Sequence, residues 1–406
     1  MTRTAASTRF DVNVLVVGGG VAGLEAALAL RALGAGRVGV EILAPELHFY
    51  YRPLAVSEPF GGEPVRRWEL ADLARSAGAD FTPGELAGLD AEEHTAHLRH
   101  GPPIAYDAVV LACGARPETA VPGALTFRGP ADVDALRGLV DGVERAEHRR
   151  LVFVVPTGIV WPLPLYELAL QTAAEFERRS VAAEIALVTS EPAPLALFGA
   201  HASEAVAAAL AGRGIKVRAS TYAESAGADG LAVRGGTLPA DAVVALPRLS
   251  APEIEGVPRD RTGFVPTDPH GRVPGVHDVY AAGDLTAFPI KQGGLAAQQA
   301  DAVAETIAAA AGAPVEPRPF RPVLRALLLT GAAPTFLRVE LGGGHGETSE
   351  ASEEALWWPP GKIVGRYLAP FLAELGVLAA EPGEAEEAER IEIETASVHE
   401  LGWPRS

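Results

Sequence analysis

The sequence predicts an α/β protein with two three-layer domains of parallel strands, the first of them discontinuous in the chain, and a small C-terminal domain. Apolar strand segments alternate with alanine- and leucine-rich helical segments over residues 12–43 and again over residues 151–246. A further apolar strand and a long alanine-rich helix follow over residues 279–311. Strands joined through helices form parallel sheets that are buried on both faces.

Composition narrows the class of protein. The chain has 406 residues, a formal net charge of −18 and one cysteine. A nucleic-acid partner is not expected because phosphate binding needs a basic surface. A lone cysteine excludes an intramolecular disulfide, and the histidines show no spacing typical of a metal site. We expect a cytoplasmic protein that binds no metal; attachment to a membrane surface and assembly into a homodimer both stay open.

A glycine-rich turn near the N-terminus predicts a dinucleotide site. Gly18, Gly20 and Gly23 form the G-x-G-x-x-G pattern between the first strand and the first helix. The first glycine allows a tight turn, the second admits a pyrophosphate to the backbone, and the third lets helix and strand pack closely. The start of the helix faces the anion with free N–H groups.

The acidic residue that should accept hydrogen bonds from the ribose hydroxyls does not stand at its usual position in the sequence. The fingerprint places it at the end of the second strand, about 20 residues further on. Ala44 and Pro45 occupy that end, Glu46 follows, and Glu41 lies inside the strand. We predict that Glu46 binds the ribose; the alternative is that Glu46 is a solvated surface residue.

The second set of strands and helices has a different turn. It reads Pro156-Thr157-Gly158, and only the glycine fits the fingerprint. Pro156 removes a backbone donor, and Trp161 is too bulky for close packing against a nucleotide. We therefore do not expect NAD(P)H to bind here, although an unusual nicotinamide site remains the alternative.

Two further motifs carry a family resemblance. Residues 106–115, YDAVVLACGA, resemble the second flavin motif of flavoproteins with two dinucleotide-binding domains, with Cys113 where threonine is usual. Residues 279–284, VYAAGD, resemble their third motif, in which the aspartate, here Asp284, binds the ribityl chain of the flavin. The resemblance to this pyridine nucleotide-disulfide oxidoreductase superfamily covers residues 11–375. It implies two Rossmann-like domains for FAD and NAD(P), with FAD as the cofactor.

Within that superfamily the chain is similar to the sulfide:quinone oxidoreductase and flavocytochrome c sulfide dehydrogenase branch. The similarity lies in residues 288–296, in the proline-rich segment 162–169, and in residues 357–362, which resemble the segment that covers the flavin. It implies that Lys291 is the catalytic residue, beside N1 and the C2 carbonyl of the flavin. The predicted cofactor-binding residues are Gly18, Gly20, Val21, Ala22, Gly23, Pro45, Glu46, Arg52, Pro53, Leu86, Ala112, Cys113, Gly114, Gly283, Asp284, Lys291, Gln292 and Gly293.

The chain departs from that branch in its cysteines. Sulfide oxidation there depends on cysteines that trap sulfur on the flavin, whereas Cys113 is already placed in a flavin-motif turn. We therefore predict an FAD-dependent oxidoreductase that passes electrons from an unidentified small-molecule donor to a small-molecule acceptor, with a quinone as the candidate. An NAD(P)H:acceptor oxidoreductase and a flavin-binding sensor without turnover are the alternatives.

The same motifs give predicted domain boundaries. The FAD-binding domain is expected over residues 1–118 and 262–312, because the third motif follows the second α/β unit. That second unit is expected over residues 119–261. A C-terminal domain that covers the flavin is expected over residues 313–380, and an acidic tail over residues 381–406.

Overall fold

The computed structural model of the protein describes residues 10–145, 149–159, 161–341 and 349–376. The predicted acidic tail and the first nine residues lie outside the described residues. The strands, in chain order, are β1 (Val12–Val17), β2 (Val38–Ala44), β3 (His48–Tyr50), β4 (Arg67–Glu69), β5 (Asp80–Pro83), β6 (Leu86–Asp90), β7 (Thr95–Leu98), β8 (Ile104–Ala105), β9 (Ala108–Leu111), β10 (Arg116–Glu118), β11 (Leu125–Thr126), β12 (Arg150–Val155), β13 (Glu184–Thr189), β14 (Lys216–Arg218), β15 (Ala223–Gly227), β16 (Gly230–Val233), β17 (Gly236–Leu238), β18 (Ala242–Ala245), β19 (Arg248–Ser250), β20 (Val279–Ala281), β21 (Val323–Leu328), β22 (Thr335–Glu340) and β23 (Glu350–Ser352).

The α-helices lie between these strands and pack on the sheets. Alanine and leucine dominate the longest of them, which fits helices that are buried on most sides. A short 3-10 turn over Gly283–Leu285 follows β20. The helices are α1 (Val21–Leu33), α2 (Leu70–Ser76), α3 (Val133–Glu144), α4 (Leu163–Arg179), α5 (Ala200–Gly212), α6 (Gly293–Ala310) and α7 (Leu368–Glu374).

The first sheet has the strand order β20-β9-β1-β2-β5 and is parallel throughout. Helices α1 and α6 share a buried core on one face of it. The antiparallel strands β6, β7 and β8 cover the other face. Strand β20 returns to this sheet after the whole second unit, so the first domain is discontinuous as predicted.

The second sheet has the order β11-β18-β12-β13-β14 and is also parallel. Helices α3, α4 and α5 fill one face, and the antiparallel strands β15, β16 and β17 cover the other. The antiparallel pair β10 and β19 joins the two connections between the units. The predicted α/β class with two Rossmann-like domains is confirmed.

The C-terminal part bridges both units. The antiparallel sheet β21-β22-β23 packs into the core of the second unit through Leu324, Leu328 and Leu337. Helix α7 packs instead into the core of the first unit through Leu368 and Phe371. Residues 361–368, which we call the covering segment, connect the two contacts, so this segment has to cross the space between the units.

Candidate functional site

A cavity of about 1070 Å³ opens at the carboxyl edge of the first sheet. Turns that follow β1, β2, β9 and β20 meet there, because the carboxyl ends of parallel strands share one edge of a sheet. The second unit and the covering segment close its other sides. The cavity is lined by Gly18, Gly20, Val21, Ala22, Pro45, Glu46, Arg52, Pro53, Leu86, Ala112, Cys113, Gly114, Gly283, Asp284, Lys291, Gln292 and Gly293.

Gly23 is the one predicted cofactor residue that does not line the cavity. A Cβ atom on Gly23 would lie 1.8 Å from the carbonyl oxygen of Gly18, so α1 packs directly on the turn that precedes it. Gly18 itself has φ +123°, and a Cβ there would lie 2.2 Å from the oxygen of Ala112. A Cβ on Gly20 would meet no protein atom within 4 Å. Of the three glycines of this motif, only Gly20 therefore leaves open space for a ligand.

The two acidic candidates for the ribose differ in their surroundings. The Glu41 carboxylate accepts a hydrogen bond of 2.6 Å from the Thr82 hydroxyl and lies within the sheet. Glu46 is exposed and lines the cavity beside Pro45. The structure thus brings Glu46, and not Glu41, to the cavity, and its contact with the ribose stays a prediction.

Asp284 supplies a carboxylate at the base of the cavity. It follows Gly283, whose N–H donates to Gln299 Oε1 at 2.7 Å. Burial raises the pKa of Asp284, while the charges of Lys291 and Arg52 act in the opposite direction. Among the described residues, the Asp284 carboxylate has no hydrogen-bond partner. A buried acceptor of this kind fits the hydroxyl groups of a ribityl chain.

Lys291 is buried next to this carboxylate. Its ammonium donates to the backbone oxygen of Thr286 and lies 3.8 Å from the ring centroid of Phe264. Burial lowers the pKa of Lys291 to about 8, against the opposing charges of Asp284 and Asp260. A lysine with such a pKa changes charge close to neutral pH.

The start of α6 also faces the cavity. The Gln292 side chain accepts a hydrogen bond from Leu295 N at 2.8 Å and donates to Arg325 O at 3.2 Å. It therefore caps the helix and ties it to β21. Gln292 and Gly293 are predicted to bind the cofactor, and with the Gln292 side chain already bonded we expect that contact to come from backbone N–H groups at the helix start.

A buried ion pair also forms part of the cavity wall. The sequence analysis did not predict this pair. Lys362 Nζ lies 2.6 Å from the Glu167 carboxylate and 3.1 Å from the backbone oxygen of Pro53. Both charged residues line the cavity, and Glu167 also accepts a hydrogen bond from Leu329 N. Burial raises the pKa of Glu167 and lowers that of Lys362, and the partner's charge counteracts both shifts.

Nothing in the local sequence predicts that pair. Glu167 lies on α4 in the second unit, and Lys362 lies in the covering segment, 195 positions away. The only sequence feature that could have indicated the pair is that each charged residue stands among apolar residues. Charged residues in such positions are rarely buried without a partner of opposite charge.

In the second unit, the turn where a dinucleotide would bind lacks backbone donors, and the carboxylate that follows β13 is already hydrogen-bonded. Helix α4 begins behind Pro162, which with Pro164 leaves two positions of its first turn without an N–H donor. Glu191 follows β13, at the position of a ribose-binding carboxylate. Its carboxylate accepts hydrogen bonds of 2.7 Å from the Tyr166 hydroxyl and 2.9 Å from the Thr189 hydroxyl.

Cys113 has the environment of a packed thiol. Its Sγ lies 3.5 Å from the backbone oxygen of Val17. Burial raises the pKa of Cys113 to about 12. Since the thiolate is the nucleophilic form, this side chain is unreactive near neutral pH.

Comparison with known proteins identifies the family. The family model for pyridine nucleotide-disulphide oxidoreductases matches residues 12–304. The chain belongs to this family. The match spans both parallel sheets and the first two thirds of α6, and thus every predicted cofactor residue. Members of the family are FAD-binding oxidoreductases, so FAD is the cofactor of this oxidoreductase.

Curated relatives and solved structures agree with the family. An NADH dehydrogenase-like protein of Mycobacterium tuberculosis is 28% identical over 304 residues, which are 68% of this chain and 73% of that protein. The type II NADH:quinone oxidoreductase of the same species is 27% identical over 361 residues, 76% of this chain and 75% of that enzyme. The sulfide:quinone oxidoreductase of Aquifex aeolicus has a TM-score of 0.75 at 20% identity, covering 84% of this chain and 87% of that one.

Two features of the cavity fit FAD. The open side of Gly20 gives a pyrophosphate access to the start of α1, and the unpartnered Asp284 carboxylate can accept hydroxyl groups. Gly20, Glu46 and Arg52 would hold the ADP half, and Asp284 and Lys291 the flavin half. FAD supplies the redox chemistry when bound, and the protein positions it.

The two helix glycines allow a matched pair of variants. We expect Gly23→Ala to destabilise the protein without FAD, because the new methyl group collides with the Gly18 backbone. Gly20→Ala should leave the unfolding midpoint of that apoprotein unchanged and lower the FAD affinity at least about tenfold, a cost of about 1.4 kcal/mol. Urea denaturation of the apoprotein and a fluorescence titration with FAD measure the two effects. Full FAD affinity in Gly20→Ala would contradict the placement of the pyrophosphate.

The buried pair gives a second prediction. Lys362→Met leaves the Glu167 carboxylate uncompensated in an apolar wall and should cost about 3–5 kcal/mol of unfolding free energy. The double variant Lys362→Met/Glu167→Gln removes that charge and should recover most of the loss. Urea denaturation followed by tryptophan fluorescence checks this, and equal destabilisation of single and double variants would contradict it.

Proposed function

We propose that this FAD-dependent oxidoreductase takes electrons from a donor other than NAD(P)H and passes them to a quinone. The altered nucleotide turn of the second unit is the observation that carries the first half of the proposal. Pro162 and Pro164 lack the backbone N–H groups that would donate to a pyrophosphate. The Tyr166 hydroxyl already donates a hydrogen bond to the Glu191 carboxylate. Trp161 contacts Phe198 in a tilted ring pair, with 6.0 Å between the ring centroids.

The apolar end of the cavity supports a quinone as the acceptor. Ile159, Trp161, Phe288 and Leu327 are apolar residues that line the cavity, and the Lys362–Glu167 pair lines it as well. A flat apolar ring fits between such side chains, and charged groups at the edge can supply hydrogen bonds to its carbonyl oxygens. The names of two similar enzymes, from Mycobacterium tuberculosis and Aquifex aeolicus, both include a quinone substrate.

A nicotinamide donor is the second candidate. The names of the relatives from Mycobacterium tuberculosis include NADH, and the second unit keeps a complete five-stranded parallel sheet. A dinucleotide would have to displace the Tyr166–Glu191 hydrogen bond and bind without the usual glycine turn. The kinetics of flavin reduction separate the two candidates.

Lys291 is proposed as the residue that favours reduction of the flavin. A buried ammonium near the pyrimidine edge of the ring opposes the negative charge that develops there during reduction. The backbone oxygen of Thr286 and the Phe264 ring hold this cation in place. The water-poor surroundings strengthen its effect, since few solvent dipoles screen it.

Stopped-flow absorbance tests the choice of donor and acceptor. Mixing oxidised holoprotein with NADH or NADPH should leave the flavin band unchanged over the time in which dithionite bleaches it. Photoreduced protein should be reoxidised by a short-chain quinone, and more slowly in Ile159→Trp, which narrows the apolar end, than in the conservative Ile159→Val. Rapid saturable bleaching by either nicotinamide would establish the second candidate instead.

The role of Lys291 can be tested by spectroelectrochemistry. Lys291→Met should lower the reduction potential of the flavin, and Lys291→Arg should preserve it, because arginine keeps a fixed cation. Below about pH 8 Lys291 is protonated in the oxidised protein; above it, reduction draws a proton onto the amine. The potential should therefore fall more steeply with pH above about pH 8 in the wild type only. The same break in Lys291→Met would place the titrating group elsewhere.

A further inference from the structure

Residues 260–264 form a tight turn that ends on the Phe264 ring, and we call it the ring turn. One oxygen of the Asp260 carboxylate accepts hydrogen bonds of 2.8 Å from Thr262 N and 3.1 Å from Phe264 N. It also accepts one of 2.6 Å from the Thr262 hydroxyl. The backbone closes the turn, because Asp260 N donates to Phe264 O at 2.8 Å and Gly263 adopts a left-handed conformation with φ +88°. Asp260 is therefore the residue that holds the turn together.

The ring turn is joined to the segment that leads to Lys291. Val265 N donates to Leu285 O at 3.1 Å, and Val265 O accepts a hydrogen bond of 2.7 Å from Ala287 N. This short parallel bridge aligns Val265 with Thr286, whose oxygen accepts the hydrogen bond of the ammonium. The ring and this oxygen therefore reach the same ammonium from two paired segments.

The Lys291 ammonium has one donor left for a ligand. It carries three N–H groups, of which one donates to a backbone oxygen and a second can face the Phe264 ring, whose centroid is 3.8 Å away. Among the described residues, no carboxylate forms an ion pair with Lys291. Asp284 and Asp260 act on it through their charge, and Arg52 acts on the first of these carboxylates. Since Lys291 lines the cavity, its remaining donor is available to the cofactor.

The chain repeats the same turn at residues 268–272. The Asp268 carboxylate accepts a hydrogen bond of 2.9 Å from Arg272 N, and Asp268 N donates to Arg272 O at 2.9 Å. Gly271 has φ +76°, and both turns read D-x-x-G before their last residue. None of the residues in this second turn, all of them described, lines the cavity, whereas both ends of the ring turn do. The second turn is therefore a structural counterpart that lies outside the site.

We propose that Asp260 is a positioning residue for reduction of the flavin, because its carboxylate fixes the ring turn and thereby keeps the Phe264 ring against the Lys291 ammonium. The inference rests on the proposed role of Lys291 and adds the residue that maintains its aromatic contact. The face of an aromatic ring stabilises a cation, most strongly where water is excluded. If the turn loosens, the ammonium keeps a single hydrogen bond and can move away from the cofactor.

The charge of Asp260 and its role in the turn act on the flavin in opposite directions. Loss of a negative charge near the flavin should raise the reduction potential, because the reduced ring itself bears negative charge. Loosening of the ring turn should lower the potential, because the Lys291 ammonium is then held less firmly. Asp260→Ala removes both the charge and the acceptor, whereas Asp260→Asn removes the charge and keeps an acceptor oxygen. The two variants therefore separate the two effects.

Spectroelectrochemistry of the holoprotein at neutral pH measures the outcome. We expect a lower reduction potential in Asp260→Ala and an unchanged or higher potential in Asp260→Asn. Phe264→Leu should also lower the potential, and Asp260→Ala should cause no further fall in that background. Asp268→Ala, the matched change in the second turn, should leave the potential unchanged. A potential that does not fall in Asp260→Ala, or that falls equally in Asp268→Ala, overturns the inference.

The lysine content of the chain allows a test that does not involve the flavin potential. The chain has three lysines, Lys216, Lys291 and Lys362, so labelling lysine Cε with carbon-13 gives three NMR signals. In oxidised holoprotein, we expect Asp260→Ala to lower the titration midpoint of the Lys291 signal by about one pH unit and Asp260→Asn to lower it less. Unchanged signals from the other two lysines show that each variant is folded. An equal fall in both variants would mean that only the charge matters, and it overturns the inference.

The two measurements separate this inference from the proposed role of Lys291. If Lys291→Met leaves the potential unchanged, that role fails, and the titration still shows whether Asp260 keeps the ring against the lysine. If Lys291→Met lowers the potential and Asp260→Ala does not, the role of the lysine stands and the inference about Asp260 fails.

Discussion

The close approach of α1 to the end of β1 determines much of the remaining structure. Gly23 has no room for a side chain because the Gly18 carbonyl oxygen occupies the place of a Cβ atom. This contact directs the start of the helix toward the cavity. It also places Glu25, two residues further on, in the interior, where it meets the first turn of α7. One backbone contact therefore sets both the anion-binding end of α1 and the anchor of the C-terminal segment.

The same geometry explains why the cavity needs all three parts of the chain. The first sheet contributes its strand ends, the second unit contributes Glu167, and the C-terminal part contributes Lys362. Neither charge of this pair would be tolerated in an apolar wall without the other. The Lys362–Glu167 ion pair thus fixes the position of the C-terminal part against the second unit at the wall of the cavity.

Local sequence patterns were sufficient to predict the fold class and the residues expected to bind the cofactor. The alanine- and leucine-rich helical segment predicted within residues 12–43 forms α1, because its glycines and its alanine run are local signals. Helix α3 was missed, although its apolar positions alternate with charges at helical spacing. The motif residues around Gly20, Cys113 and Asp284 meet at one edge because parallel strands bring their ends together.

Features that depend on distant contacts could not be predicted in this way. Glu25 looks like a polar position on an alanine-rich helix, and only the docking of α7 encloses it. The Glu191–Tyr166 hydrogen bond likewise depends on where α4 crosses the end of β13. Such pairs need the tertiary arrangement, since neither partner carries a signal in its own segment.

The second unit keeps a complete five-stranded parallel sheet, although its nucleotide turn lacks most of the glycine fingerprint. Its helix α4 still carries Glu167 to the wall of the flavin cavity. Under the proposed choice of donor, this domain serves as a scaffold for one wall of its neighbour's site. Substitutions at its nucleotide turn are then constrained by packing and folding, and the specificity of the enzyme is free to change elsewhere.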